Sequence, residues 1–190
     1  MLASSSPRRR QLLADAGLKF IVRPPAVDES SVQQAGQSPV DLAKQLAYVK
    51  AMDVAKAFPY QLVIGADTIV ESDGRIYGKP RDADHAKSIL SILFSRPHRV
   101  ITGLALVRLI PPVELVEADI TIIYPRPLDQ ALLAQYITSG QWQGKAGAYG
   151  IQEQGSEPFI EGIDGSFTNV VGLPMELLGR MLDRAGYQSK

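Results

Sequence analysis

Apolar positions along the chain recur with two periods, near 3.6 and near two residues, so helical and strand segments interleave. Residues 1–3 read as a stub of strand. Ser6 followed by Pro7 predicts a helix start, a hydroxyl cap before the residue best tolerated at the first helical position, and Gly17 ends that helix. Phe20–Arg23 reads as a second strand and Pro24–Gln37 as an exposed connection containing Asp28-Glu29. Ser38-Pro39 repeats the start signal for a helix to about Phe58, with Ala43, Leu46, Ala47, Ala51 and Val54 on one face and Lys50 on the same stripe.

Leu62–Ala66 is a continuous apolar run of strand type ending at Asp67, and Thr68–Val70 and Arg75–Tyr77 flank a hairpin turn at Ser72-Asp73-Gly74. A helix over 83–94 follows Asp82. Val100–Val107 and Leu115–Tyr124 are strands separated by Pro111-Pro112, and Asp129–Thr138 is helical. A glycine-rich stretch, Gly140–Gly155, precedes a hairpin at Asp164-Gly165 and a final helix from Pro174 to about Ala185. The expected fold is one α/β domain over residues 1–190, a mixed central sheet flanked by helices.

Composition narrows the classes. Twenty basic residues balance twenty acidic ones, so no global field favours a nucleic-acid polymer, and phosphate chemistry must come from a local cluster. The absence of cysteine excludes disulfides, thiolate metal sites and a cysteine nucleophile. No apolar run reaches the roughly 20 residues of a membrane span, and Arg8-Arg9-Arg10 arrives before any apolar secretory core. A cytoplasmic protein without a membrane role is expected.

Four constellations could carry chemistry. Ser4-Ser5-Ser6-Pro7-Arg8-Arg9 gathers hydroxyls, amides and guanidiniums at a helix N-terminus, either an anion site or a solvated basic turn. Asp67, beside Thr68, is placed at the end of an apolar strand, where ligands sit in open α/β sheets; it could hold a divalent metal or orient water, or merely cap a turn. Lys79 in Gly78-Lys79-Pro80 belongs to no Walker A loop, the spacing being wrong, and Lys50 on its apolar stripe is the more informative lysine, with snorkelling to the surface as its bland alternative. Gly144-Lys145-Ala146-Gly147-Ala148-Tyr149-Gly150-Ile151-Gln152 permits close backbone approach to a ligand, with Gln152 offering a base-reading amide; a plain surface loop is the alternative. His85 and His98 stand alone and read as structural or exposed.

Together these pieces resemble the Maf (septum-formation-inhibitor-like) family of nucleoside triphosphate pyrophosphatases. The resemblance runs in order through Leu2–Arg9, Asp28-Glu29, Leu46-Ala47 with Lys50-Ala51, Ile64–Thr68, Gly78–Pro80, His98–Gly103, Gly144–Gln152 and Asn169–Pro174. It implies a mixed-sheet fold with two lobes around a cleft, similar to inosine-triphosphate pyrophosphatases, and a homodimer. It implies Asp67 as the catalytic acceptor and Arg8, Thr68 and Gln152 as positions tied to substrate choice. Gly147–Gln152 resembles the dTTP/UTP branch rather than the 7-methyl-GTP branch. Gln141, Phe94-Ser95 and Glu153 depart from the family pattern, around the base pocket rather than the phosphate site.

The resulting expectation is hydrolysis of a nucleoside triphosphate to the monophosphate and pyrophosphate. Ser4, Arg8, Arg9, Lys50, Thr68, Lys79 and Gln152 would bind the substrate, the cations meeting its roughly four negative charges. Asp67 and Glu29 would hold Mg²⁺ or Mn²⁺, which would supply much of the water's activation, because an aspartate is by itself a weak base near neutrality. The alternatives are the same chemistry on a modified nucleotide, a nucleotide-binding regulator of cell division, or a phosphatase that releases orthophosphate.

Overall fold

A computed structural model describes residues 1–32, 36–151 and 159–187. Local signals set most of its elements. Helix α1 (Pro7–Asp15) begins where the Ser6 hydroxyl accepts from the Arg9 amide, and α2 (Pro39–Ala57) where Ser38 accepts from the Asp41 amide. Asp82 caps α3 (Ala83–Leu93), Asp129 caps α4 (Gln130–Ser139), and α6 (Met175–Arg184) closes the described fold. A short helix α5 (Phe167–Val171), absent from the sequence expectation, lies before it.

The strands are β1 (Leu2–Ala3), β2 (Val63–Ser72), β3 (Arg75–Tyr77), β4 (His98–Arg108), β5 (Val113–Pro125) and β6 (Ile160–Asp164). They form one mixed sheet in the order β1-β2-β4-β5-β6, with β3 also on β2; β1 runs parallel to β2 and the other pairs are antiparallel. The β2–β3 hairpin turns at Asp73 (φ 50°) and Gly74 (φ 77°), the paired left-handed residues of a type I′ turn.

Three sequence expectations fail here. Phe20–Arg23 is no strand: it makes a single parallel bridge, Leu2 to Val22, because β1 is too short to extend a ladder. Asp164-Gly165 is no hairpin, since β6 ends at Asp164 and the chain enters α5. Leu62–Ala66 does not stop at Asp67, because β2 is continuous and pairs with β4 from Val63 through Glu71, which holds Asp67 opposite Gly103 in mid-strand.

Successive β2 residues face opposite sides of the sheet. Val63, Gly65, Asp67 and Ile69 face α2, which lies close enough that a Cβ on Gly65 or Gly103 would run into the carbonyl oxygens of Ala47 or Ala43. The other face is divided. Ile64 and Ala66 of β2, with Leu104 and Leu106 of β4, pack under α1 and α6, whereas Val70, Val100 and Ile123 pack under α3 and α4. Between these apolar clusters lie the buried or half-buried hydroxyls of Thr68, Thr102 and Thr121, covered by α5. This polar band divides the core into two lobes, and its Thr68 end opens into a cleft.

Candidate active site

The cleft exists because one edge of β2 is only partly covered. The edge opposite β4 pairs with β1 at Ile64 and Gly65 and with β3 at Val70 to Ser72. Between them, Ala66 to Ile69 has no partner on that side among the described strands, and Asp67 and Thr68 meet the cleft there from opposite faces of the sheet. The cavity has a volume of about 770 Å³ and is lined by Ser4, Arg8, Arg9, Glu29, Lys50, Asp67, Thr68 and Lys79. Eight of the nine residues singled out in the sequence are therefore brought together; Gln152, with neighbouring Glu153, lies outside the described residues.

On the α2 face, Lys50 Nζ donates to Asp67 Oδ1 at 2.5 Å and contacts Glu29 Oε1 at 2.8 Å. Lys50 does not snorkel. Its Cα lies on the buried stripe of α2, and the ammonium points inward because a buried carboxylate is there to receive it. Glu29 stands on a 3₁₀ turn, Glu29–Ser31, whose Asp28 cap accepts from the Ser30 amide and hydroxyl. The Asp67 side chain is only 12% exposed and that of Glu29 54%, so one carboxylate is enclosed and the other reaches in from the rim.

On the opposite face, Arg9 is held by three hydrogen bonds: Nε to the Gly172 carbonyl (2.7 Å), Nη1 to Ser4 Oγ (3.3 Å) and Nη2 to Thr68 Oγ1 (3.1 Å). The Thr102 hydroxyl has one proton and gives it to the Asn169 carbonyl (3.1 Å), so in the 3.0 Å contact between the threonines it is Thr68 that donates. The donors thus run in one direction, from Arg9 to Thr68 to Thr102 to Asn169. A guanidinium carries five N–H groups, and these contacts engage three. One N–H on each terminal nitrogen makes no bond to a described residue, which leaves a fork suited to an anion. Burial draws the Arg9 pKa below its ordinary value, while the charge of Asp67 acts the other way.

Arg8 and Lys79 stand differently. Arg8 is half-buried at the first turn of α1 and Lys79 is exposed after β3; neither makes a hydrogen bond or ion pair with a described residue.

Two features escaped the sequence reading. Lys145, quoted there only within its glycine-rich run, is a buried cation on the cleft wall, and a Cβ on Gly150 would lie 3.5 Å from its Nζ. Being the one cation in that run was the available signal. Second, His98 is paired: its Nδ1 lies 3.0 Å from the Leu93 carbonyl and its Nε2 2.6 Å from Tyr149 Oη. A carbonyl can only accept, so the network assigns the ring proton to Nδ1, and Tyr149 donates to Nε2. Burial lowers the His98 pKa and raises that of Tyr149, which keeps both neutral as this bond requires. The pair ties the cleft wall at Tyr149 to β4.

Among the described residues, no group of three or more His, Asp or Glu side chains is arranged to hold a metal ion. Glu29 and Asp67 make a pair, which fits the way Mg²⁺ binds with one or two carboxylates and completes its shell from phosphates and water.

Known proteins resemble this chain along almost its whole length. A protein-family model described as Maf-like protein matches residues 1–185. A protein of Symbiobacterium thermophilum named dTTP/UTP pyrophosphatase is 43% identical over 187 residues, covering 98% of this chain and 94% of its own. Proteins of the same name from Ruminiclostridium cellulolyticum and Pyrococcus furiosus are 42% and 39% identical, covering 97% and 96% of this chain and 94% and 93% of theirs. With its described elements in a mixed α/β arrangement and its motifs gathered in one cleft, the chain belongs to the Maf family.

Proposed function

We propose that this protein is a pyrophosphatase that hydrolyses dTTP and UTP to the monophosphate and pyrophosphate in the cleft at Asp67. The observation that carries the reading is the convergence of an enclosed carboxylate, Asp67, with the cationic N-terminal turn of α1 at the uncovered edge of β2. The names of the relatives, at 36–43% identity, give the substrate class.

Each residue has work to do in this scheme. The uncommitted N–H groups of Arg9, together with Arg8 and Lys79, bind phosphate oxygens. The α1 N-terminus adds its partial positive charge. Asp67 orients the attacking water towards the α-phosphorus and takes its proton as the bond to the β-phosphate oxygen breaks. Glu29 and Asp67 are the residues that would hold Mg²⁺ or Mn²⁺, and that ion would lower the pKa of bound water and offset charge on the phosphates. Gln152, on the sequence argument alone, offers N–H to the uracil or thymine O4 and a carbonyl to N3–H, whereas cytosine presents the opposite pair.

The reading extends to a cytoplasmic homodimer. Its support is the family resemblance and the cysteine-free composition; no helix among the described residues is long and apolar enough to cross a membrane. Sedimentation of the purified protein checks the dimer.

The decisive assay incubates the protein with UTP, dTTP, CTP and 7-methyl-GTP, with Mg²⁺, with Mn²⁺ or with excess chelator, and identifies the products. UTP and dTTP should give monophosphate and pyrophosphate only when a divalent ion is present. Orthophosphate as the first product, or no turnover of any nucleotide, would overturn the reading. Gln152→Glu should lower kcat/KM on UTP and dTTP much more than on CTP, and a parallel decline would remove Gln152 from base recognition.

A further inference from the structure

Lys50 raises a question that the proposed mechanism does not answer. Its ammonium lies between the two carboxylates assigned to the divalent ion, at 2.5 Å from Asp67 Oδ1 and 2.8 Å from Glu29 Oε1. Two carboxylates brought within reach of one nitrogen repel each other, and burial strengthens that repulsion unless a cation stands between them. Lys50 is that cation. An ammonium and a divalent ion cannot share the same two oxygens, because their charges repel at contact distance.

We propose that Lys50 is the resident counter-ion of the Glu29–Asp67 pair, keeping the pair assembled before substrate enters and releasing it only when a triphosphate offers the ammonium other oxygens. The inference rests on the pyrophosphatase reading and deepens it, since it makes the carboxylate pair available to a divalent ion only after substrate has entered. Three observations support the exchange. Lys50 itself lines the cleft, so its Nζ can turn from carboxylate to phosphate without leaving the cavity. Its four-carbon stem is anchored on the buried stripe of α2, which lets the head move while the helix stays still. Glu29, on a short 3₁₀ turn with a half-exposed side chain, can follow or part from the ammonium at little packing cost.

The test measures Mn²⁺ binding to the nucleotide-free protein by electron paramagnetic resonance of the free ion. Wild type, Lys50→Met, Lys50→Gln and Lys50→Met/Asp67→Asn are compared, with circular dichroism confirming that each is folded. A unit charge a few ångströms from a divalent ion is worth about tenfold in affinity even when fully screened by water. Both single variants should therefore bind Mn²⁺ at least about tenfold more tightly than wild type, and the double variant should return to wild-type weakness. If Lys50→Met fails to fold, Lys50→Gln decides. Single variants that bind no more tightly than wild type, or a double variant as tight as Lys50→Met, would overturn the proposal. The pyrophosphatase reading fails separately, if no nucleotide is turned over or if orthophosphate is the first product.

Discussion

Four cations of the cleft divide into two pairs. Arg9 and Lys50 are already engaged: Arg9 binds Ser4, Thr68 and Gly172, and Lys50 binds Glu29 and Asp67. Arg8 and Lys79 make no such bonds with described residues. In a list of basic residues the four look alike, yet their energetic positions differ. The engaged pair also holds the protein together, bridging α1 to β2 and α2 to β2 across the site. Only the outer pair is free to act on a ligand alone. A charge that is part of the architecture is pre-oriented and loses little freedom when substrate binds, whereas a free one must be ordered on binding.

The largest effect is expected at Asp67, the acid that the engaged cations surround. Asp67→Asn keeps the shape but removes the charge that meets Lys50 and accepts the proton. Turnover should fall by roughly a hundredfold or more with the fold retained; a folded variant within a few-fold of wild type would remove Asp67 from the chemistry. Next in size, Arg9→Ala should lower both thermal stability and UTP affinity, while Arg8→Ala and Lys79→Ala should lower affinity alone, by about 1.5–3 kcal/mol for each charge-assisted contact. Calorimetry with UTP and with uridine separates the effects, since only the triphosphate should be sensitive. Equal melting shifts for all three variants would erase the distinction between the pairs.

A smaller effect is expected at Thr68→Val, which breaks the chain from Arg9 to Thr102 but leaves Arg9 its bonds to Ser4 and Gly172. Stability should fall by about 1 kcal/mol, the scale of one net hydrogen bond, with UTP affinity reduced less than in Arg9→Ala. The smallest effect concerns His98. Burial keeps its folded pKa below the ordinary value, so the unfolded chain takes up this proton first. Its contribution to stability is complete above about pH 6.5 and is lost as pH falls through the folded pKa. His98→Gln does not titrate there, so the melting temperatures of wild type and variant should converge on acidification; parallel curves would show that His98 does not titrate on unfolding.

Most of what was legible in the sequence is local. Ser6-Pro7, Ser38-Pro39 and Asp82 start helices because a cap bonds to an amide three residues ahead, and Ser72-Asp73-Gly74 turns because two adjacent residues adopt positive φ. The site residues were legible as chemical types in family order, and the eight that are described do gather in one cleft. Asp67 does not stand at a strand end; it reaches the cleft because β1 stops at Ala3 and β3 starts its pairing only at Val70.

The caps, the turn, the apolar stripes and the charged side chains can be read residue by residue, because each depends on neighbours a few residues away. Which side chains face each other depends on residues far apart in the chain. Lys50 meets Asp67 from 17 residues away, Arg9 meets Thr68 from 59 and Gly172 from 163, and His98 meets Tyr149 from 51. Those meetings follow from strand register and from α2 settling onto Gly65 and Gly103. Shifting a strand by a single residue would turn its side chains to the other face, so no local pattern encodes the pairings.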